Sequence, residues 1–171
     1  METNIKILPQ LTFSDALRMN YINFTDIKGR SRRSELWWNY LAYAFVSVCV
    51  TMFIPGLDLI VKTVVSFLLQ LWMVPVTIRR MHDNNHSGIW VAAAVAIGVT
   101  LNVYGFATGM VDLENTDPAA IIEMVKAPAF VGLSLASSVV NLTILVFAVM
   151  DGSKEDNKYG PSPKYVNPIA D

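Results

Sequence analysis

The chain has 171 residues, of which 53% are hydrophobic and 16% charged, with a mean hydropathy of +0.42 and a formal net charge of −1. Soluble domains carry about 25% charged residues, so the balance favours lipid, and the lack of an overall basic field argues against nucleic acid as a partner. The single cysteine, Cys49, excludes an intrachain disulfide and is read as a small apolar filler.

In chain order, residues 1–28 form a charged lead. Within it Ser14 is placed to cap a short helix from Asp15 to about Phe24. Leu17, Tyr21 and Phe24 then share a face at i, i+4 and i+7, which suits a helix lying on a membrane surface. Four apolar runs follow, at about 36–54, 59–78, 89–110 and 127–150. A bilayer core about 30 Å thick takes roughly 20 helical residues to cross, and each run has about that length. Pro55-Gly56 closes the first as a turn, and Asp151-Gly152 ends the fourth. The first run begins too late and continues too far for a cleaved signal peptide. The expected architecture is an all-α membrane protein: a membrane domain over 29–165 with four transmembrane helices as two hairpins, a short N-terminal interfacial helix, and a tail over 151–171.

Orientation follows from the basic residues flanking the spans. Lys6, Arg18, Lys28, Arg30, Arg32, Arg33, Arg79, Arg80, Lys154, Lys158 and Lys164 fall on one side, against Lys62 and Lys126 on the other. That imbalance places both termini and the central loop in the cytoplasm. The loop 111–126, with Asp112, Glu114, Asp117 and Glu123, faces outward. Trp37, Trp38, Tyr40 and Trp90 then stand at the cytoplasmic ends of the odd-numbered spans, where aromatic anchors belong. Inside the spans Lys62 is the one residue among Asp, Glu, Lys, Arg and His, and its stem can reach the interface. A mid-span carboxylate, usual in ion-coupled pumps, is absent from the sequence. Gln70 and Asn141 are read as hydrogen-bonding between helices, and Pro75 as a kink near the cytoplasmic end of the second span.

The polar residues concentrate in two blocks, Gly29 to Glu35 and Arg79 to Gly88. In the first, Ser31 or Ser34 is available to cap the first span, and Glu35 favours its positive end. The arginines retain the span inside and attract anionic headgroups at about 1 kcal/mol each. Alternatively, Arg32 or Arg33 pairs with a carboxylate of the central block such as Asp83. The second block reads as a short loop pinned at the membrane surface. Its H-D-x-x-H pattern, His82, Asp83 and His86, has a metal-compatible spacing on a helix, but Asn84-Asn85 and Gly88 favour a turn and no third ligand is nearby. No metal or cofactor is therefore expected. The tail residues Asp156 to Pro163 are turn-rich and either disordered or folded back onto the cytoplasmic face.

Three ordered motifs resemble a family. Gly29-Arg30-Ser31-Arg32-Arg33-Ser34-Glu35-Leu36-Trp37-Trp38, Arg79-Arg80-Met81-His82-Asp83 with Ser87-Gly88-Ile89-Trp90, and Asn157-Lys158-Tyr159-Gly160-Pro161-Ser162-Pro163 are similar to those of domain-of-unknown-function family 805, small bacterial inner-membrane proteins. The resemblance covers about Tyr21 to Tyr165. It implies a four-span protein of the inner membrane and supplies no activity. In the first motif the family's usual Ser-Arg pair reads Arg32-Arg33, preceded by Ser31.

All three motifs fall on one membrane face. The expected function is that of a non-enzymatic membrane protein whose cytoplasmic face is a polar cluster: Arg30, Arg32, Arg33 and Glu35 against Arg79, Arg80, His82 and Asp83, closed by Asn157 and Tyr159. Such a face would bind anionic lipid, a protein partner or further copies of the chain. The alternatives are a small oligomeric transporter or channel, lined by Gln70, Asn102 and Asn141, and a membrane-surface enzyme with His82 and Asp83 as its acid–base pair.

Overall fold

A computed structural model describes residues 6–53, 59–109 and 117–166. The elements are β1 (Lys6–Ile7), α1 (Phe13–Ile22), α2 (Arg33–Phe53), α3 (Leu59–Asp83), α4 (Ile89–Ala107), α5 (Pro118–Lys126), α6 (Pro128–Val149) and β2 (Tyr165–Val166). The chain is thus mostly helical. Among the described residues three helices are long and apolar enough to cross a membrane: Val61–Asp83, Ile89–Ala107 and Pro128–Val149. The expected Pro55-Gly56 turn, Asp112 and Glu114 lie outside the described residues.

The chain divides into two compact units, one formed by residues 1–88 with 147–171, the other by 89–146. In the first, α1 and α3 both pack on α2. Leu36, Val76 and Ala148 form its small apolar core, with Met73 against them. The last turn of α6 belongs to this unit, and the tail beyond it returns to pair β2 antiparallel with β1, Lys6 opposite Val166 and Ile7 opposite Tyr165.

The second unit holds α4, α5 and most of α6. Tyr104 and Phe130 meet there with ring centroids 6.1 Å apart. Its polar side chains bond back to their own helices: Asn102 Nδ2 donates to the Gly98 carbonyl at 2.8 Å, and Asn141 Nδ2 to the Ser137 carbonyl at 2.9 Å. A polar group four residues beyond a carbonyl satisfies itself this way without leaving its helix. Asn141 therefore does not make the interhelical bond expected of it.

Several local expectations are corrected. Thr12, not Ser14, caps α1: its hydroxyl accepts from the Asp15 N–H at 3.2 Å. The buried face of α1 carries Ala16 and Asn20, while Tyr21 is 73% exposed and Phe24, beyond the helix, stacks on Trp72. Two small side chains let the α1 and α2 backbones approach closely. Neither Ser31 nor Ser34 caps α2. The Ser31 hydroxyl donates to the Val76 carbonyl at 3.1 Å, Ser34 Oγ accepts from the Leu11 N–H at 3.4 Å, and the Leu36 N–H bonds the Arg32 carbonyl. The central block is not mainly loop. Helix α3 continues through Arg79–Asp83, and the turn is confined to the residues after it, where Asn85 takes a left-handed φ of 61°. The helix can continue because the arginines of its last turns are buried against partners.

Candidate functional site

The polar cluster is built where the end of α3, the approach to α2 and the tail converge within the first unit. Arg30 Nε donates to Asp83 Oδ1 at 3.0 Å, and its Nη2 lies 2.9 Å from the same oxygen. Its Nη1 donates to the carbonyls of Glu155 at 3.0 Å and Gly160 at 3.1 Å. Its Nη2 donates to the Ser153 carbonyl at 2.6 Å and to the Ser153 hydroxyl at 3.1 Å. A guanidinium has five N–H donors, and these bonds occupy them all. The second carboxylate oxygen of Asp83 accepts from Arg80 Nη1. Burial of one carboxylate between two guanidinium groups would be costly if either partner were missing.

Arg80 also reaches the end of α6. The last four carbonyls of a helix have no partner within it, and α6 carries no basic residue in its last turn. Asn84 Nδ2 donates to the Phe147 carbonyl at 2.9 Å, Arg80 Nε to Ala148 at 3.3 Å, Arg33 Nη1 to Val149 at 3.2 Å, and Arg80 Nη2 to Met150. The exposed carbonyls are thus satisfied by side chains of α2 and of the α3 end. Two of those side chains are cations meeting the negative end of the helix dipole, an interaction worth about 0.3–1 kcal/mol each and more when partly buried. The chain then turns so closely past Asp83 that a Cβ on Gly152 would overlap the Asp83 carboxylate. Only glycine fits there.

A second buried pair ties α2 to α3. Arg79 Nη2 donates to Glu35 Oε1 at 2.8 Å and to Asn20 Oδ1 at 3.1 Å, while its Nη1 donates to the carbonyls of Asn23 and Asp26. Asn20 Nδ2 donates in turn to the Trp72 carbonyl at 3.1 Å, beside Pro75. Below this pair Asn39 joins three helices: its Nδ2 donates to the carbonyls of Ala16 and Glu35, and its Oδ1 accepts from Trp72 Nε1 at 2.9 Å. Among the described residues no buried side-chain nitrogen or oxygen lacks a partner.

His82 is held differently. Its Nδ1 lies 3.2 Å from the Gly29 carbonyl, and its ring stacks on Tyr159 at 3.7 Å with 4° between the planes. Asn157 Nδ2 donates to the His82 carbonyl at 2.9 Å while Asn157 Oδ1 accepts from the Tyr159 N–H, so a local turn presents the tyrosine to the histidine. His86 points elsewhere, its Nδ1 2.6 Å from the Asn84 carbonyl and its ring against Phe147. Among the described residues no three His, Cys, Asp or Glu side chains are grouped to hold a metal ion.

Beside the cluster the first unit opens a cleft of about 690 Å³. Trp37, Trp38, Leu41 and Ala44 of α2 form its apolar wall, and Arg32, Arg33 and Lys164 stand at its charged end. Arg32 Nη1 donates to the Pro9 carbonyl at 2.7 Å; burial pushes its guanidinium below its ordinary value, against the opposing influence of Glu35. Asp151 lies 2.9 Å from Arg33 Nη2 and 3.0 Å from Lys164 Nζ. The hydrogen bond from Lys164, followed by the charge of Arg33, holds the Asp151 carboxyl below the usual carboxylate range despite some burial.

The model of a family described as "Protein of unknown function (DUF805)" matches residues 24–161. The chain belongs to the DUF805 family. It is similar to the "Inner membrane protein YhaI" of Escherichia coli (strain K12) and to that of Escherichia coli O157:H7. Each is 27% identical over 149 residues, covering 85% of this chain and 90% of the relative. No solved structure gives a match.

The structure brings Arg30, Arg80 and Asp83 into one contact set with the tail, and Arg79 and Glu35 into another. Arg32 and Arg33 do not pair with Asp83. Arg33 goes to Asp151 and the α6 end, and Arg32 to Pro9. Glu35 stands in the first turn of α2, as expected, and is also 2% exposed and paired with Arg79. Asn20, Asn39, Trp72 and Ser153 escaped sequence reasoning, and Gly152 stood out only as part of the turn that ends the fourth run. A usable signal existed for Asn39: it lies one turn after Glu35, on the same face, inside an apolar run where an amide must find partners.

Proposed function

We propose that this chain is a four-span protein of the inner membrane, its spans paired as two hairpins with both termini cytoplasmic, and that it works as a non-enzymatic docking protein. Its buried polar cluster is a scaffold, and the exposed cations beside it bind anionic lipid or a protein partner. Helix α2 supplies the fourth span in this reading. Its 21 residues rise about 31 Å, close to the thickness of a bilayer core. Arg33, Glu35 and Asn39 lower its average hydropathy, yet they cluster in its first two turns at the interface.

The observation that carries the non-enzymatic reading is the saturation of the cluster. Arg30 and Asp83 spend their hydrogen-bonding capacity inside the protein, His82 is bonded to a backbone carbonyl and covered by Tyr159, and the oxygens of Asp83 are held by arginines rather than by His82. A general acid–base pair must reach the proton it transfers. Groups so engaged hold segments together.

Two measurements test the proposal. Thr116→Cys and Glu155→Cys, each in a Cys49→Ser background, should label from opposite sides of the membrane; labelling of both from the periplasm overturns the four-span topology. Protein extracted in mild detergent should carry anionic phospholipid, or a discrete protein partner, through purification. Its recovery with neither refutes the docking role.

A further inference from the structure

We propose that the cleft beside the cluster binds one anionic diacyl phospholipid of the cytoplasmic leaflet, its phosphate at Arg32 and Lys164 and an acyl chain along the α2 wall. This rests on the membrane placement proposed above and names the ligand of that face. A helical stripe lines the cleft: Arg33 at the charged end is followed by the apolar Trp37, Leu41 and Ala44 at i+4, i+8 and i+11. Eleven residues of helix rise about 16 Å, the depth of one leaflet in a core about 30 Å thick. The stripe therefore reaches from the headgroup level to mid-core, its apolar part rising about 10 Å, which suits one acyl chain and not a spanning ligand.

Charge decides the headgroup. Three cations, Arg32, Arg33 and Lys164, stand at the cleft end with one exposed carboxylate, Asp151, shared between Arg33 and Lys164. Arg80 and Asp83, also on the lining, satisfy each other and the helix end. The polar end is therefore left with two positive charges uncompensated, matched to a phosphate. Arg32 suits the contact: its planar fork binds phosphate bidentately, and one donor is already fixed on Pro9, which holds the side chain in place. Trp38 is similarly fixed, its Nε1 donating to the Leu11 carbonyl at 3.0 Å, so the aromatic wall is preformed. The volume, about 690 Å³, falls in the ordinary range for ligand clefts.

The test uses delipidated full-length protein in detergent, with lipid added back and bound species resolved by native mass spectrometry. Phosphatidylglycerol should form a discrete one-to-one adduct, phosphatidylcholine of the same chain length a weaker one. Glycerol 3-phosphate at millimolar concentration should not displace the adduct, since the headgroup alone lacks the wall. Arg32→Gln combined with Lys164→Gln should weaken phosphatidylglycerol binding about 25-fold, taking about fivefold per lost charge at a membrane surface. Leu41→Trp, which fills the wall and leaves the charges, should weaken both lipids alike. Thermal unfolding of each variant verifies that it folds. Unchanged binding by both folded variants while the wild type still prefers phosphatidylglycerol moves the lipid elsewhere and overturns the cleft site alone. No preference for anionic over neutral lipid in the wild type overturns lipid docking altogether, and displacement by glycerol 3-phosphate reassigns the cleft to a soluble phosphate.

Discussion

Replacing Asp83 by Asn keeps the shape of the side chain and removes the charge that two buried guanidinium groups share. Arg30 and Arg80 are each 1% exposed at the side chain, and Asp83 is 7% exposed. One oxygen of the amide can still accept from Arg30. The NH₂ then faces Arg80 Nη1, donor against donor, and leaves a positive charge uncompensated in a dry site. Breaking a buried pair in this manner costs about 3–5 kcal/mol. For a chain of this size each kcal/mol moves Tm by roughly 2–4 °C, so a fall of about 6–20 °C is expected. Thermal unfolding in a mild detergent, followed by reaction of the lone Cys49 thiol with a fluorogenic maleimide, reads the change directly. Asp151→Asn is the internal control, because it removes an exposed carboxylate that also contacts two cations and should cost below about 1 kcal/mol. Should the two variants melt within about 2 °C of each other, the Asp83 site is wet rather than buried, and its part in closing the fold is refuted.

Further outcomes follow from neighbouring contacts. Gly152→Ala should lower Tm by at least as much as Asp83→Asn, since its Cβ has no space beside the carboxylate; combined with Asp83→Ala, which vacates that space, it should add almost nothing. His82→Gln can still reach the Gly29 carbonyl and loses chiefly the ring stack on Tyr159, so a cost of about 0.5–1.5 kcal/mol is expected by denaturant unfolding, with any cellular phenotype of the wild type retained. Asp151 is held below its ordinary pKa by Lys164 and then Arg33. Its contribution is therefore complete above the unfolded carboxylate pKa of about 3.9 and is lost as pH falls through the lower folded value. The stability difference between wild type and Asp151→Asn, a few tenths of a kcal/mol after solvent screening, should vanish in that acid window; a difference that persists below pH 3 contradicts the pairing.

Much of the architecture was legible because lipid makes sequences simple. Runs such as 89–107 and 128–149 admit few readings other than a helix of spanning length, and the short pre-span helix showed itself in its periodicity. The polar cluster was legible in membership and not in wiring. Arg30, Asp83, Asn157 and Tyr159 stand out as polar residues in motifs, but which arginine meets which carboxylate depends on the angle at which α3 passes the start of α2. No local spacing encodes that angle, so Arg32 and Arg33 were given partners that Arg30 and Arg80 hold. The extension of α3 to Asp83 was missed for a related reason. A charged segment after an apolar run reads as loop unless its charges are known to be buried, and only tertiary contacts reveal that. Neutral residues such as Asn39 and Gly152, each decisive by position, carry no excess charge or motif to announce themselves.

The final helix ends on groups made long before it. The side chains that receive its last carbonyls precede them by 63 to 116 residues, and Arg30 precedes its partners in the tail by 123 to 130. While the chain is still emerging during synthesis, Arg30 and Arg80 therefore have no tail carbonyls to receive them, and their charges stay in water or among headgroups. The inner face of α2 and α3 cannot dry until residues 148–160 arrive. Arrival of this tail segment and closure of the face are one event. A chain cut after Met150 would keep α2, α3, α4 and α6 and yet leave Arg30 without the three tail carbonyls that receive it.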